Sequence, residues 1–108
     1  MFRNPFKKKE LINHKEQLAE WEKNGKPLPP PHIVKQMAIE EYRKKFHAEI
    51  LVETGTYLGD MVEAQRNRFK KIYSIELSER LFKKAKKRFK AFPNIKILHA
   101  IVDLCWVN

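Results

Sequence analysis

The chain has 108 residues, enough for one small domain and little else. Hydrophobic residues make up 43% and charged residues 33%, the balance of a globular chain rather than a disordered one, and no apolar run approaches the roughly 20 residues that would span a bilayer. The formal charge of +10 directs attention to anionic partners, and the single cysteine, Cys105, allows no internal disulfide and suits a reducing cytoplasm.

The start, Met1 to Pro5, carries no apolar signal core. The first predicted element is a helix over 7–24, in which Leu11, His14, Leu18 and Trp21 recur at helical spacing and Asn24-Gly25 supplies the stop. The proline-rich run at 26–31 reads as a stiff spacer rather than as a ligand for a proline-reading domain. A second helix is predicted over 32–46, with Ile33, Met37, Ala38, Tyr42 and Phe46 as its apolar face. Trp21 and Tyr42 are expected to anchor these helices against the sheet that follows. His14 and His47 read as packing or capping residues rather than bases, and no Cys/His cluster has metal-ligand spacing, so no metal site is expected.

The first strand is predicted over 49–53 and a helix over 58–69, with Asp60 near its positive end. The second strand runs over 71–75. Ser78 then caps a long helix ending near Phe92, whose buried line is Leu81, Phe82, Ala85, Phe89 and Phe92. Pro93-Asn94 turns the chain into a third strand over 95–99. Strands alternating with helices predict an α/β, Rossmann-like three-layer fold with a parallel sheet and right-handed crossovers. The expected organisation is a helical extension over 1–47 and a half-domain over 48–108.

The densest information lies at Leu51-Val52-Glu53-Thr54-Gly55-Thr56-Tyr57-Leu58-Gly59-Asp60, an apolar strand entering an acid, a glycine turn and a helix. Twenty-one positions past Gly55, after the apolar run at 72–75, stands Glu76. Glycine lets the backbone approach a ligand, and a carboxylate after the second strand can accept from both hydroxyls of a ribose. Only Gly55 and Gly59 are present, so the dinucleotide pattern G-x-G-x-x-G is absent, and no Gly-Lys-Ser/Thr completes a phosphate loop.

The remaining pattern, acidic-x-Gly-x-x-x-Gly with a second acid in register, resembles motif I of the class I S-adenosylmethionine-dependent methyltransferases over roughly residues 50–100. The resemblance implies S-adenosylmethionine as cofactor and strands 1–3 of a seven-stranded fold. It implies that Glu53 faces the methionine end, Thr54, Gly55 and Thr56 form the turn beneath the ligand, Gly59 opens the helix, and Glu76 holds the ribose. Leu77 and Ser78 would lie beside the adenine. Where the family usually carries an acid after strand three, this chain reads His99-Ala100-Ile101-Val102, with Asp103 the next carboxylate.

A complete domain of this class needs about twice this length at ordinary element lengths. The expectation is therefore a truncated cofactor-binding fragment, inactive alone, with no catalytic residue nominated and the methyl acceptor unassigned. The ending at 101–108 reads as the product of a disrupted frame or a clipped chain. In the family's strand order, 3-2-1-4-5-7-6, loss of strand four leaves strand one as an edge through which copies would self-associate.

Two other readings compete. Residues 66–90 hold eleven Lys/Arg against Glu76 and Glu79, a density that could serve a basic nucleic-acid-binding module. The aromatics there lie on the apolar helix line rather than interleaved as stacking platforms, which favours a solvated face. The other reading is a structural or interaction fragment without ligand.

Overall fold

A computed structural model describes residues 5–101 of the chain, with side chains from residue 13 onward. Its elements in order are α1 (Pro5–Lys23), α2 (His32–Phe46), β1 (Ile50–Thr54), α3 (Asp60–Gln65), β2 (Lys71–Glu76), α4 (Glu79–Arg88) and β3 (Ile95–His99). Cys105 and Asp103 lie outside the described residues, as does most of the 101–108 ending. The chain divides into two compact units between Glu41 and Tyr42.

In the first unit α1 stops where glycine was expected to stop it. Gly25 and Lys26 take positive φ of 81° and 58°, and the Lys26 N–H donates to the Trp21 carbonyl at 2.9 Å. The Trp21 indole N–H donates to the Pro27 carbonyl at 2.9 Å, so this side chain binds the proline segment that follows its own helix. α2, which runs from the first unit into the second, departs from its predicted apolar face. None of its residues is buried, and Met37, Tyr42 and Phe46 are exposed, with Tyr42 stacked on Phe46. An apolar stripe states which face favours cover; it does not supply the covering element.

The second unit is built on a three-stranded parallel sheet in the order β1-β2-β3. β2 is the middle strand, and its alternate residues Ile72, Ser74 and Glu76 are buried while the residues between them are partly covered. α4 packs on β2 and β3 through Ala85 and Phe89, and Val62, Phe69, Ile95 and Ile97 complete the apolar core. The buried line of β2 thus passes from apolar at its start to polar at its carboxyl end.

Two helices are shorter than their sequence patterns. α3 was expected over 58–69 and spans Asp60–Gln65. The Lys70 N–H, which would extend it, donates instead to the Glu49 carbonyl at 2.8 Å and opens the β1–β2 pairing. The Arg66 carbonyl accepts from the Asn94 side-chain amide at 3.3 Å. α4 ends at Arg88 rather than near Phe92, because its exit tightens into a turn in which the Phe92 N–H reaches the Phe89 carbonyl at 3.0 Å. Pro93 disfavours helical backbone at the residue before it.

Among the described residues no helix is long and apolar enough to cross a membrane.

Candidate functional site

The site lies at the carboxyl ends of β1 and β2, around the turn that leads into α3. Gly55 enters that turn at φ 81°, and its N–H donates to the Ile75 carbonyl at 2.7 Å. Tyr57 is also left-handed at φ 51°, which aims its N–H at Glu76. The Glu76 Oε1 accepts from Tyr57 N at 2.8 Å, and its Oε2 accepts from Ser78 N at 2.7 Å. One carboxylate therefore joins the glycine turn after β1 to the start of α4 after β2.

Glu76 is only 7% exposed, covered by immediate neighbours rather than set deep in the small unit. The Ser78 N–H is the largest influence on its carboxyl and holds it below the ordinary range. Burial opposes, and the Tyr57 and Leu77 N–H groups and the nearby His99 add to the lowering.

Glu53 is governed by the opposite balance. Burial pushes its carboxyl above the ordinary range, tempered by a hydrogen bond from the Ser74 hydroxyl at 2.5 Å. Ser74 is fully buried and lies 2.6 Å from the Thr56 hydroxyl. Since Ser74 commits its single proton to Glu53, Thr56 donates to Ser74, giving a relay Thr56–Ser74–Glu53 across β1, the turn and β2.

The two glycines have different surroundings. A Cβ at Gly55 would meet nothing within 4 Å, so the turn faces open space. A Cβ at Gly59, at φ 91°, would stand 2.7 Å from the Phe89 ring. Gly59 is the N-cap residue of α3 and permits close approach to α4. Thr54 and Leu77 are exposed. The Ser78 hydroxyl accepts from Leu81 N at 3.3 Å and caps α4 as its sequence position predicts.

The position after β3 is taken by His99, which is buried, donates through Nε2 to the Leu77 carbonyl at 3.1 Å and stacks on Phe82 with centroids 5.2 Å apart. It is the register partner of Glu76. Nothing in the sequence signals this role beyond the position of His99 at the end of an apolar run. Ser74 was missed for a similar reason: a small hydroxyl inside a strand reads as filler until its neighbours are known.

Comparison with solved structures gives the architecture. The chain aligns with the S-adenosylhomocysteine-bound Podospora anserina methyltransferase over 96% of its own length and 53% of the other, at TM-score 0.55 and 14% identity. A Staphylococcus aureus protein assigned as a caffeoyl-CoA O-methyltransferase aligns over 87% and 50%, at TM-score 0.55 and 17% identity. The methyltransferase domain of a bacterial Hen1 aligns over 60% and 38%, at TM-score 0.52 and 16% identity. The fold is the class I methyltransferase fold, in part. The chain spans about half the length of the first two structures and 38% of the third. No family model matches the sequence, and no curated protein matches it.

Within the methyltransferase fold the turn at 55–59 and the carboxyl end of β2 stand side by side, as the parallel register requires. Glu53 and Glu76 come from neighbouring strands, and the Ser74 hydroxyl and Tyr57 N–H connect the two strands.

Proposed function

We propose that the second unit binds S-adenosylmethionine, and that the chain carries the cofactor-binding part of a methyltransferase working in a reducing, cytoplasmic setting. The observation that carries this reading is the Glu76 clamp beside an open glycine turn. Each Glu76 oxygen spends one lone pair on a backbone N–H and keeps another for a ribose hydroxyl. The space over Gly55 admits a ligand against the backbone. Glu53, raised by burial, is relieved by an incoming ammonium such as the methionine end of the cofactor carries. Leu77 offers an exposed apolar side chain on the adenine side, and Ser78 contributes through the start of α4 rather than through its hydroxyl, which is spent on the cap.

Bound there, the cofactor would supply an electrophilic methyl group on a sulfonium. These residues would bind and orient it; none is assigned to activating an acceptor. Titration calorimetry with S-adenosylhomocysteine tests the reading. The wild-type chain is expected to bind, Glu76→Gln to bind at least tenfold more weakly, and Gly55→Arg to show no heat. Circular dichroism of each variant separates lost binding from lost fold. A folded wild type that gives no heat would remove the proposal.

A further inference from the structure

The cations of the 66–90 window are of two kinds. Those near α3 and β1 have acidic partners: Arg66 pairs with Glu63 at 3.5 Å, Lys70 with Glu49 at 2.9 Å and Arg88 with Asp60 at 3.4 Å. The others gather on α4. Ala85 and Phe89 are buried, and Arg80, Lys83, Lys84, Lys86 and Lys87 stand exposed around the opposite arc, which Lys90 extends in the turn that follows. Glu79 is the one acid on this arc, and it pairs with Lys83 at 3.2 Å. Among the described residues no carboxylate pairs with Arg80, Lys84, Lys86, Lys87 or Lys90. Lys96 of β3 shares a groove with Lys86 and Lys90, which carries the positive face past the edge of the helix. Arg80 with Lys84, Lys83 with Lys87 and Lys86 with Lys90 are like charges at i,i+4, a spacing at which they repel and which an anion would relieve.

We infer that this face of α4 binds the phosphate backbone of a nucleic-acid duplex without reading its bases. The make-up of the arc selects the partner. Single strands are held by stacking on open aromatic rings, and those of α4 are taken: Phe89 is buried, and Phe82 is stacked on His99 with the Lys86 Nζ 5.5 Å from its ring centroid. A bilayer surface, or the dry centre of a protein interface, needs apolar side chains among the charges. Positions 79, 80, 83, 84, 86, 87 and 90 are all charged. A duplex needs neither rings nor apolar cover, because it presents a rigid array of phosphates. The stretch 79–90 is about 18 Å long at helical rise and lies along about ten duplex phosphates. The inference does not rest on cofactor binding, because the arc faces away from the strands on which α4 packs and the proposed cofactor site lies at the carboxyl ends of β1 and β2.

Fluorescence anisotropy of the full 108-residue chain tests it, with labelled RNA and DNA duplexes and with single strands carrying the same number of phosphates. Wild type is expected to bind duplexes more tightly than single strands and to bind duplexes of unrelated sequence equally. With four or five cations on phosphates, the logarithm of affinity should fall against the logarithm of salt with a slope of about −4. Joint substitution of Lys84→Gln, Lys87→Gln and Lys90→Gln is expected to weaken binding about tenfold or more and to reduce the slope by about three. Lys23→Gln, Lys35→Gln and Lys45→Gln together remove the same charge from α1 and α2 and should leave most of the affinity. All six side chains are exposed, and circular dichroism confirms the fold of each variant. The tighter of the two duplexes names RNA or DNA as the source of the phosphates. Equal binding of single strands and duplexes would overturn the inference, as would an α4 variant with wild-type affinity and slope. So would an equal loss in the α1–α2 variant, which would reduce the effect to net charge, or capture by anionic vesicles where duplexes do not bind.

Discussion

Two carboxylates at the same end of the sheet are displaced in opposite directions, and the displacement makes stability depend on pH in two separable ways. Glu76 is lowered, first by the Ser78 N–H, so its contribution is present above the ordinary value of 4.5 and is lost as pH falls through its lower folded value. Glu53 is raised by burial, so its contribution is present below 4.5 and is lost as pH rises through its higher folded value. Thermal denaturation across acid pH should therefore show a Glu76 limb below 4.5 that Glu76→Gln removes, and a decline above it that Glu53→Gln removes. At neutral pH Glu76→Gln is expected to cost about 1–3 kcal/mol, because charge-assisted bonds to two backbone donors weaken together. An unchanged acid limb in that variant would show that Glu76 is not the titrating clamp. The position of Glu76 was legible in the sequence, since it ends an apolar run a fixed distance past a glycine turn. Its partners were not. Tyr57 N and Ser78 N are backbone groups whose direction is set by a left-handed residue and a helix start, and a pattern of side chains carries neither.

Every strand was legible to within about a residue at each end, because short β-rich runs between turn signals have few alternatives. Helix ends were not, because the bonds that end α3 and α4 are tertiary: Lys70 N is drawn to Glu49, and the Arg66 carbonyl to Asn94. The basic window at 66–90 likewise contains ties as well as solvated charges. Arg88 donates to the Leu58 carbonyl at 2.7 Å and pairs with Asp60 at 3.4 Å, joining the end of α4 to the start of α3. Gly59 makes the same junction possible from the other side. Gly59→Ala combines a left-handed backbone with a Cβ at 2.7 Å from the Phe89 ring, and is expected to destabilise by about 1–3 kcal/mol. Gly55→Ala meets open space and should cost only its backbone strain, about 1 kcal/mol. Chemical denaturation of the pair checks the order; equal losses would mean that the α3–α4 approach yields freely.

For the molecule as a whole, the match to structures about twice as long bears on chemistry. Methyl transfer depends on holding an acceptor in line with the transferred group. Among the described residues of the second unit, the proposed site is formed by the strand ends and the 55–59 turn, and none of them is placed to hold an acceptor. The 108 residues alone are therefore expected to bind cofactor and give no turnover with a radiolabelled methyl donor across hydroxyl, amine and nucleic-acid acceptors. Transfer that disappears in Gly55→Arg would refute this. The basic surface offers nucleic acid few open aromatic faces: Arg66 lies over Phe92, Arg88 over Phe89, and Phe82 is stacked on His99.

The parallel register also sets an order of events during synthesis. Glu53 and Ser74, partners across β1 and β2, are 21 positions apart, and Leu77 and His99, joined at the far side of β2, are 22 apart. Loops of that length close at modest entropic cost, so each strand can find its neighbour soon after it leaves the ribosome. The sheet then grows in chain order, β1 with β2 and β2 with β3. Among the described strands β1 emerges first and the central β2 second, so each later strand meets a partner already waiting beside it.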